Sequence, residues 1–599
     1  MAYSINEIKK MNISELNKLA ENLRKDIINV VKTNGGHLAS NLGVVELTIA
    51  LHYVFNSPKD VILYDVSHQT YVHKLLTGRE NLFPKLRMYK GLSGFSSSDE
   101  SEHDIFDAGH SSTSLSLGIG YLEAKTEYPD IFDNIISVIG DASIVNGLSM
   151  EALNYLGSKP EHKMIIILND NDMGISKSTG GLAKTFNKIR AKGRFKILRR
   201  ITPKSLKKMM KLIAYKNTPF SGFGLKYLGV IDGHDIKQLI EYLEYAKKSP
   251  TSVVLHIKTK KGKGFSFAEE DKTGIWHSTN SFDEISGIQT KNKFDDCNFG
   301  INLAKKLSDE IDNGLTKIRV ITAGMTYGCG LLDFSVRHPK NFIDVGIAEE
   351  SATVMAASMA KGGLIPFVFI YSTFLQRSYD QIIHDVARKN EHVVFCIDRA
   401  GIVDSDGPTH QGIYDVAFLS TIPNIKIFSP SSIEELNIII DYVINNPGTY
   451  AIRYPKYDSS NEMIISDIVD KWKILKESTN NKYIISYGPN LSTINEFLLN
   501  KNTGLINACL IKPYDEELIY NLLKNNYKLY FYEEVVRNNS LSNQVLDFAN
   551  QLFLNNKIEK YFIKSKTLPN TYLEVGKKEE LLNQYQMNIF DFVKSVEEE

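Results

Sequence analysis

Two polar side chains each follow an apolar run, at a spacing that suits a metal and phosphate site. Asp141 follows the run 138–140, and Asn171 follows the run 165–168. Both runs have the length of a buried strand, and residues 147–156 between them carry apolar side chains at helical spacing. This order predicts a βαβ unit, whose parallel strands bring both residues to the carboxyl edge of the sheet. A carboxylate and an amide oxygen there suit Mg²⁺ shared with phosphate oxygens.

Three sets of polar residues keep a second interpretation open at this stage. Asp141 and Asn171 could instead cap a helix and a turn, and spacing alone does not decide between the two. Residues 109–113 precede a predicted helix, where free N–H groups could bind a diphosphate or a hydroxyl could simply cap the helix. The histidines are candidates for proton transfer, because only His titrates near neutrality unperturbed, although a lone His is more often structural than catalytic. Four of them stand in informative neighbourhoods: His37, His68, His277 and His410.

The elements that must position these groups belong to a chain of several domains. The 599 residues are 43% hydrophobic and 23% charged, which is ordinary for a globular protein and too long for one core. Lys and Arg together equal Asp and Glu, so net charge gives no argument for nucleic acid or an anionic membrane. The basic tract 184–211 is interpreted as a solvated helical insertion rather than a nucleic-acid patch.

Cysteine usage and hydropathy bear on the compartment. Cys297, Cys329, Cys396 and Cys509 are widely separated, so they form neither a metal-ligand pair nor a disulfide framework. This favours a reducing compartment. The first ten residues lack the apolar core of a signal peptide, and the most apolar region, 351–374, is interrupted by Lys361 and by Pro and Gly. We therefore expect a cytoplasmic protein with no membrane partner and no nucleic-acid partner.

Several long runs resemble one enzyme family. The segments 35–47, 65–71, 370–381 and 398–412 are similar to signatures of the transketolase-like thiamine diphosphate enzymes, and most closely to the 1-deoxy-D-xylulose-5-phosphate synthase family. Gly-Asp-Ala at 140–142, followed by Asp-Asn at 170–171, is similar to the thiamine diphosphate motif. Ala142 and Ser67 stand where that family usually has glycine. Glu350-Ser351 replaces its usual Gln-His.

The resemblance implies an architecture of three doubly wound α/β domains with the transketolase-like thiamine diphosphate-binding fold. Residues 1–290 would bind the diphosphate and Mg²⁺, residues 313–472 the pyrimidine ring and the substrates, and residues 480–599 would form the C-terminal domain. The cofactor would lie between the first two domains. The C-terminal range has no evident catalytic constellation, so we expect a packing or assembly role for it. The family forms homodimers, and a homodimer is expected here.

The resemblance also implies a reaction. The enzyme would be a transferase that uses thiamine diphosphate and Mg²⁺ to decarboxylate pyruvate and join the remaining two carbons to D-glyceraldehyde 3-phosphate. The products would be CO₂ and 1-deoxy-D-xylulose 5-phosphate, which feeds isoprenoid, thiamine and pyridoxal phosphate synthesis. A transketolase, or a diverged relative with another donor or acceptor, is the alternative that the departures near the cofactor motifs suggest. A scaffold without catalysis is a third reading, opposed by the retained charged residues.

Individual roles follow from the same resemblance. The residues implied to bind thiamine diphosphate are His68, Gly109, His110, Ser111, Ala142, Ser143, Asn171, Phe265, Glu349 and Phe374. Those implied to hold Mg²⁺ are Asp141, Asn171 and the backbone carbonyl of Met173. The implied catalytic groups are Glu349, His37, His277 and His410. The implied substrate-binding groups are Tyr371, Arg399, Asp406, His410 and Arg453.

Four of these residues have roles with a simple physical basis. The carboxylate of Glu349 would hydrogen-bond the aminopyrimidine ring, and the ring of Phe374 would stack on it. Arg399 and Arg453 would bind the acceptor phosphate, because a guanidinium binds phosphate through two hydrogen bonds. Glu349 is expected at the end of a strand, with Glu350 pointing to the opposite side.

Overall fold

The computed structural model describes residues 4–171, 181, 185, 218–290, 298–456 and 470–599. The chain divides into two compact units. The first comprises residues 1–291 and 346–348, and the second comprises 292–345 and 349–599. The basic tract 184–211, Met173 and Cys297 lie outside the described residues, apart from Thr185. No helix within the described ranges is both long and apolar enough to span a membrane.

The first unit is built on a five-stranded parallel sheet with the order β1-β2-β3-β5-β4. Its strands are β1 (Val61–Tyr64), β2 (Ile135–Gly140), β3 (Met164–Asp170), β4 (Lys226–Asp232) and β5 (Val253–Lys258). Its described helices are α1 (Ile5–Ile8), α2 (Ile13–Asn34), α3 (Leu38–Gly43), α4 (Val45–Val54), α5 (Tyr71–Leu76), α6 (Ser114–Glu127), α7 (Gly147–Gly157), α8 (Ile236–Lys247) and α9 (Ser266–Glu269).

Helices cover both faces of this sheet, because its strands are apolar on both sides. Along β2, Ile136 and Val138 pack with α4 and α8 in one cluster, whereas Ile135 and Ile139 pack with α6 and α7 in another. This alternation is the two-residue period of a strand. A parallel sheet buried on both faces is the doubly wound arrangement that was expected, and its βαβ unit β2-α7-β3 is the one predicted.

The second unit contains two sheets. Its strands are β6 (Ile318–Thr322), β7 (Phe342–Asp344), β8 (Ile365–Tyr371), β9 (Val393–Asp398), β10 (Ile425–Phe428), β11 (Thr449–Arg453), β12 (Lys473–Lys476), β13 (Lys482–Ser486), β14 (Gly504–Asn507), β15 (Leu510–Lys512), β16 (Lys528–Val536) and β17 (Phe562–Leu568). One sheet has the order β15-β10-β11-β9-β8-β6-β7, and the other has the order β12-β14-β13-β16-β17. Only the pairings of β15 with β10 and of β12 with β14 are antiparallel among the described strands.

The helices of the second unit pack against both sheets. They are α10 (Phe299–Asp312), α11 (Leu332–Arg337), α12 (Glu349–Lys361), α13 (Ser372–Leu375), α14 (Tyr379–Gln381), α15 (Asp415–Ser420), α16 (Ile433–Asn445), α17 (Asn490–Leu498), α18 (Glu516–Lys524), α19 (Leu541–Leu554), α20 (Lys578–Gln584) and α21 (Ile589–Glu598). One continuous apolar cluster runs from Phe299 to Ile558 and joins the two sheets. The α/β class with three mainly parallel sheets is confirmed, while the domain ranges 1–290, 313–472 and 480–599 stay predictions.

The prediction that the strand extends to Glu349 was wrong. β7 stops at Asp344, Gly346 has a φ of +74°, and Glu349 is the first residue of α12. The glycine allows the turn between strand and helix. The two acidic side chains stabilise the first helical turn, because their negative charge interacts favourably with the positive end of the helix dipole. Glu350 therefore follows Glu349 along a helix, where successive side chains diverge by a helical step rather than pointing to opposite faces.

Candidate active site

The predicted metal edge forms where β2 and β3 end side by side. Gly140 of β2 is in register with Asn169 of β3, and the backbone N–H of Asp141 donates to the carbonyl of Asn169 at 3.2 Å. Asp141 and Asn171 thus follow neighbouring strand ends at the same edge, as the sequence predicted. Within the described ranges, no group of three or more His, Cys, Asp or Glu side chains could hold a metal ion. The predicted ligand set differs from such a cluster, because it combines one carboxylate, one amide and one backbone carbonyl.

The helix N-terminus at 109–113 is more occupied than the sequence suggested. Asp65, at the end of β1, accepts the backbone N–H of Ser112 at 2.8 Å and that of Ser114 at 3.2 Å. Within the segment 109–113, the N–H of Ser112 is therefore already bonded and is not free for a diphosphate. Burial raises the pKa of Asp65, although these hydrogen bonds act in the opposite direction. A diphosphate would have to use the preceding residues, Gly109, His110 and Ser111.

A serine bridge joins the two segments expected to bind the diphosphate. The hydroxyl of Ser112 donates to the carbonyl of Ser143 at 3.0 Å, and the hydroxyl of Ser149 donates to the same carbonyl at 2.9 Å. This connection fixes residues 109–112 against residues 142–143. Ala142 has no positive φ, so the alanine at this position introduces no left-handed strain.

Ser67 is the costlier departure from glycine. It has a φ of +66°, a conformation that a side chain rarely adopts. Its hydroxyl accepts the N–H of Ser96 at 2.8 Å and donates to the carbonyl of Ala108 at 3.4 Å. The serine therefore adds two contacts to the loop that leads to Gly109, and these offset part of the backbone strain.

Three of the predicted histidines converge in the first unit. The ring centroids of His37 and His68 lie 5.4 Å apart, those of His37 and His277 lie 5.7 Å apart, and those of His68 and His277 lie 5.0 Å apart. Asn41 ties two of them together, because its amide donates to the carbonyls of His37 and His68, each at 2.7 Å. Sequence analysis missed Asn41, although it lies inside the family-like run 35–47.

Lys261 is a second residue that sequence analysis missed. Burial lowers its pKa to about 8, against the opposing charges of Asp271 and Asp141. Burial also lowers the pKa of His277 well below its usual range, and the charge of Lys261 contributes to that shift. Lys261 thus places a cation close enough to influence both the metal edge and the histidine cluster. Three lysines within four residues had made it inconspicuous in the sequence.

The loop 260–265 that carries Lys261 is held by a buried carboxylate. Glu46 accepts from Arg24 at 2.5 Å and from Lys263 at 2.8 Å, and it lies 3.1 Å from Nδ1 of His234. Burial alone would raise the pKa of Glu46, but the His234 hydrogen bond and the Arg24 charge lower it to about 2. Nε2 of His234 in turn accepts the backbone N–H of Lys260 at 2.8 Å.

Phe265, at the end of this loop, has its ring in an aromatic cluster. Its centroid lies 5.1 Å from that of Trp276 and 5.4 Å from that of Phe282. The side chain is almost completely buried there. A cofactor contact by Phe265 stays a prediction, and it would involve the backbone more readily than the ring.

In the second unit, Glu349 offers a buried acceptor. The residue is 3% exposed, and its Oε2 has no hydrogen bond among the described residues. The guanidinium of Arg377 lies nearby, with its Nη1 3.8 Å from this oxygen. Burial raises the pKa of Glu349, and Arg377 opposes that shift. A buried carboxylate oxygen without a donor is costly, so this position suits a ligand that donates a hydrogen bond.

Four predicted substrate and cofactor residues form one cluster. The rings of Tyr371 and Phe374 stack with centroids 5.6 Å apart, and the Phe374 ring meets that of His410 edge-on at 5.7 Å. The guanidinium of Arg399 lies 4.1 Å from the centroid of the Tyr371 ring. It also donates to the carbonyl of Gly328 and to Asp398, each at 2.6 Å.

Arg453 is held differently from Arg399. It is 5% exposed, and its Nε and Nη2 donate to the buried carboxylate of Asp415 at 3.0 and 3.2 Å. Among the described residues, no hydrogen bond involves its Nη1, which therefore remains for a further acceptor. The Tyr487 ring also faces the Arg453 guanidinium, with its centroid 5.7 Å away. Neither Asp415 nor Tyr487 was identified from the sequence.

Two family models match the chain. The one described as 1-deoxy-D-xylulose-5-phosphate synthase matches residues 2–259, and the one described as the pyrimidine binding domain of transketolase matches residues 303–460. Among solved structures, transketolases from Campylobacter jejuni and Leishmania mexicana align with TM-scores of 0.40 and 0.41 at 16% and 15% identity. Those alignments cover 98% and 97% of this chain and 100% and 97% of the transketolases.

Curated relatives match over nearly the full length. A protein of Clostridium acetobutylicum is 38% identical, with 95% of each chain covered. One from Thermus thermophilus is 39% identical, covering 95% of this chain and 93% of the relative. One from Geobacillus sp. is 37% identical, covering 98% and 97%. All three carry the name 1-deoxy-D-xylulose-5-phosphate synthase.

Proposed function

The chain belongs to the 1-deoxy-D-xylulose-5-phosphate synthase family, and from this premise we propose that it decarboxylates pyruvate and transfers the remaining two-carbon unit to D-glyceraldehyde 3-phosphate. The enzyme is a transketolase-type transferase. The observation that carries the proposal is 37–39% identity to named synthases along nearly the whole chain. The products are 1-deoxy-D-xylulose 5-phosphate and CO₂, which places the enzyme at the entry to isoprenoid precursor, thiamine and pyridoxal phosphate synthesis.

The proposed cofactor is thiamine diphosphate, which, when bound, supplies the electron sink that decarboxylation of a 2-oxo acid requires. Glu349 would accept a hydrogen bond from its aminopyrimidine ring, and the buried Oε2 without a partner supports this role. Because burial raises the pKa of Glu349, its carboxyl holds a proton more readily than an exposed one and suits proton exchange with that ring. Phe374 would pack against the ring face.

The diphosphate and Mg²⁺ would lie at the edge formed by β2 and β3. Asp141, Asn171 and the carbonyl of Met173 would hold the ion, since hard oxygen ligands suit Mg²⁺. The segments 109–111 and 142–143 would contact the diphosphate, and the Ser112–Ser143 hydrogen bond supports their acting together. Lys261 adds positive charge close to Asp141, which favours an anionic ligand.

The histidine cluster of the first unit and the two arginines of the second unit are proposed to act on the substrates. Burial lowers the pKa of His277 well below its usual range, so its ring is held neutral and would take part in proton transfer as a hydrogen-bonding imidazole rather than as a charged acid. The rings of His37 and His68 lie next to it, and these two histidines would also take part in proton transfer during the reaction of pyruvate, the donor substrate. Arg399 and Arg453 would bind the acceptor phosphate, and Tyr371, Asp406 and His410 would hold the hydroxyl groups of the acceptor or the pyruvate carboxylate.

A cytoplasmic homodimer is part of the proposal. The three cysteines within the described ranges, Cys329, Cys396 and Cys509, are buried and unlinked, which agrees with a reducing compartment. Dimerisation is proposed from the family alone, and sedimentation of the purified protein tests it directly.

Product analysis tests the reaction. With pyruvate labelled at C2, unlabelled D-glyceraldehyde 3-phosphate, thiamine diphosphate and Mg²⁺, ¹³C NMR should show one labelled ketose phosphate. Its amount should equal the CO₂ released. Exchange of two-carbon units between ketose and aldose phosphates without CO₂ would instead identify a transketolase.

A further inference from the structure

The loop that carries Asp406 and His410 is a closed structure of its own. This substrate loop, residues 401–412, is closed at its base by two hydrogen bonds between Gly401 and Gly412, at 2.7 and 3.0 Å. Gln411 holds its interior: the side chain accepts the N–H of Val403 at 2.8 Å and donates to the Val403 carbonyl at 3.0 Å. These contacts fix the shape of the loop. Its 409–410 side is attached to α13, where the hydroxyl of Thr373 donates to the carbonyl of Thr409 at 3.0 Å and the Phe374 ring contacts His410, but these contacts do not reach residues 404–407 at the tip.

The tip is attached by a segment from the far end of the chain. This C-terminal clamp, residues 575–578, contacts the loop at three points. The N–H of Ser405 donates to the carbonyl of Gly576 at 2.8 Å, and the N–H of Lys578 donates to the carboxylate of Asp404 at 2.5 Å. Gly407 packs so closely on Val575 that a Cβ at residue 407 would lie 2.8 Å from a methyl group of the valine.

The clamp is also connected to the base of the loop. Nζ of Lys578 lies 2.8 Å from Oε2 of Glu534, a residue only 7% exposed. A Cβ at Gly401 would lie 3.3 Å from that same oxygen, so Glu534 contacts the loop at its base. Lys578 therefore binds the tip through its backbone and the base through its side chain.

The neighbouring Glu533 extends this connection to Arg453. It accepts the N–H groups of Leu541 and Ser542 at the start of α19, each at 2.9 Å, and the hydroxyl of Tyr487 at 3.1 Å. The Tyr487 ring contacts the guanidinium of Arg453. The acidic pair at 533–534 thus supports both the loop and the arginine, the two features expected to bind the acceptor.

We propose that the C-terminal clamp, with Lys578 and Glu534, is a positioning element for the acceptor site. It holds the substrate loop so that Asp406 and His410, which we here assign to the acceptor and not to the pyruvate carboxylate, keep a fixed geometry toward D-glyceraldehyde 3-phosphate. The proposal rests on the function proposed above, and it gives residues 480–599 a part in substrate binding beyond packing. Asp404 and Lys578 act through the loop and are positioning residues.

The test compares Asp404→Ala, Lys578→Ala and the double variant in the full-length protein. Each should raise KM for D-glyceraldehyde 3-phosphate about tenfold and leave KM for pyruvate within about twofold, because only the acceptor site loses its fixed geometry. In the double variant, KM for D-glyceraldehyde 3-phosphate should be about the same as in the more severe single variant and should not rise further. The reason is that both changes release the same clamp. Asp404→Asn and Lys578→Arg keep an acceptor and a cation, so they should retain parental KM values. Lys594→Ala, which removes an exposed ion pair on α21, is the matched control.

Hydrogen–deuterium exchange of the peptide that spans 401–412 provides a readout without turnover. Exchange in the substrate-free protein should rise in both alanine variants and stay unchanged in the control. Unchanged exchange, or equal increases in both KM values, would overturn the proposal. If the parent protein made no product, the proposed function would fail, while the exchange data would still report on the clamp.

Discussion

Glu349 combines burial with an unused acceptor, and this combination has a thermodynamic consequence. Its Oε2 has no hydrogen bond within the described part of the chain, and Arg377 is too distant for one. The cofactor-free protein therefore bears the cost of a desolvated carboxyl. A folded-state pKa above the unfolded value means that the folded protein binds this proton more tightly than the unfolded chain does. The associated stability is present at low pH and is lost as the pH rises through the folded pKa.

Glu349→Gln should consequently stabilise the cofactor-free protein in a pH-dependent way. At about pH 8 the melting temperature of the variant should exceed that of the parent, because the amide avoids burying a charge. At about pH 4.5, near the ordinary pKa of a glutamate, the difference should shrink. Glu350→Gln serves as the control on the same helical turn. A variant that melts below the parent at the higher pH would contradict this account of Glu349.

Arg453 poses a different problem at the residue scale, because its partner is also buried. Removing the guanidinium alone strands the Asp415 carboxylate, and breaking a buried pair in this way costs about 3–5 kcal/mol. A simple alanine variant would therefore mix unfolding with lost phosphate binding.

Arg453→Met combined with Asp415→Asn separates these two effects. The double variant should recover most of the stability lost in Arg453→Met, because no unpaired charge remains. Its KM for D-glyceraldehyde 3-phosphate should nevertheless stay raised by about tenfold or more, with KM for pyruvate little changed. Steady-state kinetics together with thermal melts check this. Recovery of the acceptor KM in the double variant would rule out a phosphate contact by Arg453.

At the scale of elements, Glu46 connects three separate segments of the first unit and so positions the loop 260–265. This residue of α4 receives Arg24 from α2, His234 from the turn before α8 and Lys263 from the loop after β5. His234 must keep its proton on Nδ1, because its Nε2 accepts the N–H of Lys260. The position of Lys261 therefore depends on the acceptor at Nε2 of His234.

Two conservative replacements of His234 should have different effects. Gln places an oxygen near the position of Nε2 and can still accept the Lys260 N–H, so turnover should remain within about threefold of the parent. Asn reaches only the position of Nδ1, so the loop is released and turnover should fall about tenfold or more. His392→Gln, at a histidine that bonds the Val443 carbonyl, is the control. Equal activity of the Gln and Asn variants would show that the loop contact is unimportant.

At the scale of the whole molecule, the parts predictable from sequence were those with a local signal. The βαβ unit followed from two apolar runs and a helical period, and Asp141 and Asn171 followed from where those runs ended. The occupied N-terminus of α6 did not, because Asp65 lies about fifty residues earlier in sequence and reaches it only through the fold. The start of α12 at Glu349 was missed because only four residues separate it from the end of β7. Over so short a stretch, the sequence does not show where the strand stops.

The C-terminal domain shows the same limit more strongly. Its acidic pair 533–534 is plain in the sequence, but no spacing relates it to Arg453 or to the loop 401–412. Those relations arise because β16 brings the pair beside Tyr487 of the neighbouring strand end and beside Lys578. Contacts between residues that are forty or more positions apart carry no periodic signal, so only the folded chain reveals them.

Release of CO₂ from carboxyl-labelled pyruvate tests the central claim most directly. The assay contains thiamine diphosphate and Mg²⁺ and is run with and without D-glyceraldehyde 3-phosphate, with Glu349→Gln as the inactive reference. A synthase should release CO₂ at a rate that the acceptor strongly increases, and the Glu349→Gln variant should lose that release by about a hundredfold or more. A protein that binds the cofactor yet releases no additional CO₂ when the acceptor is added would contradict the proposed reaction.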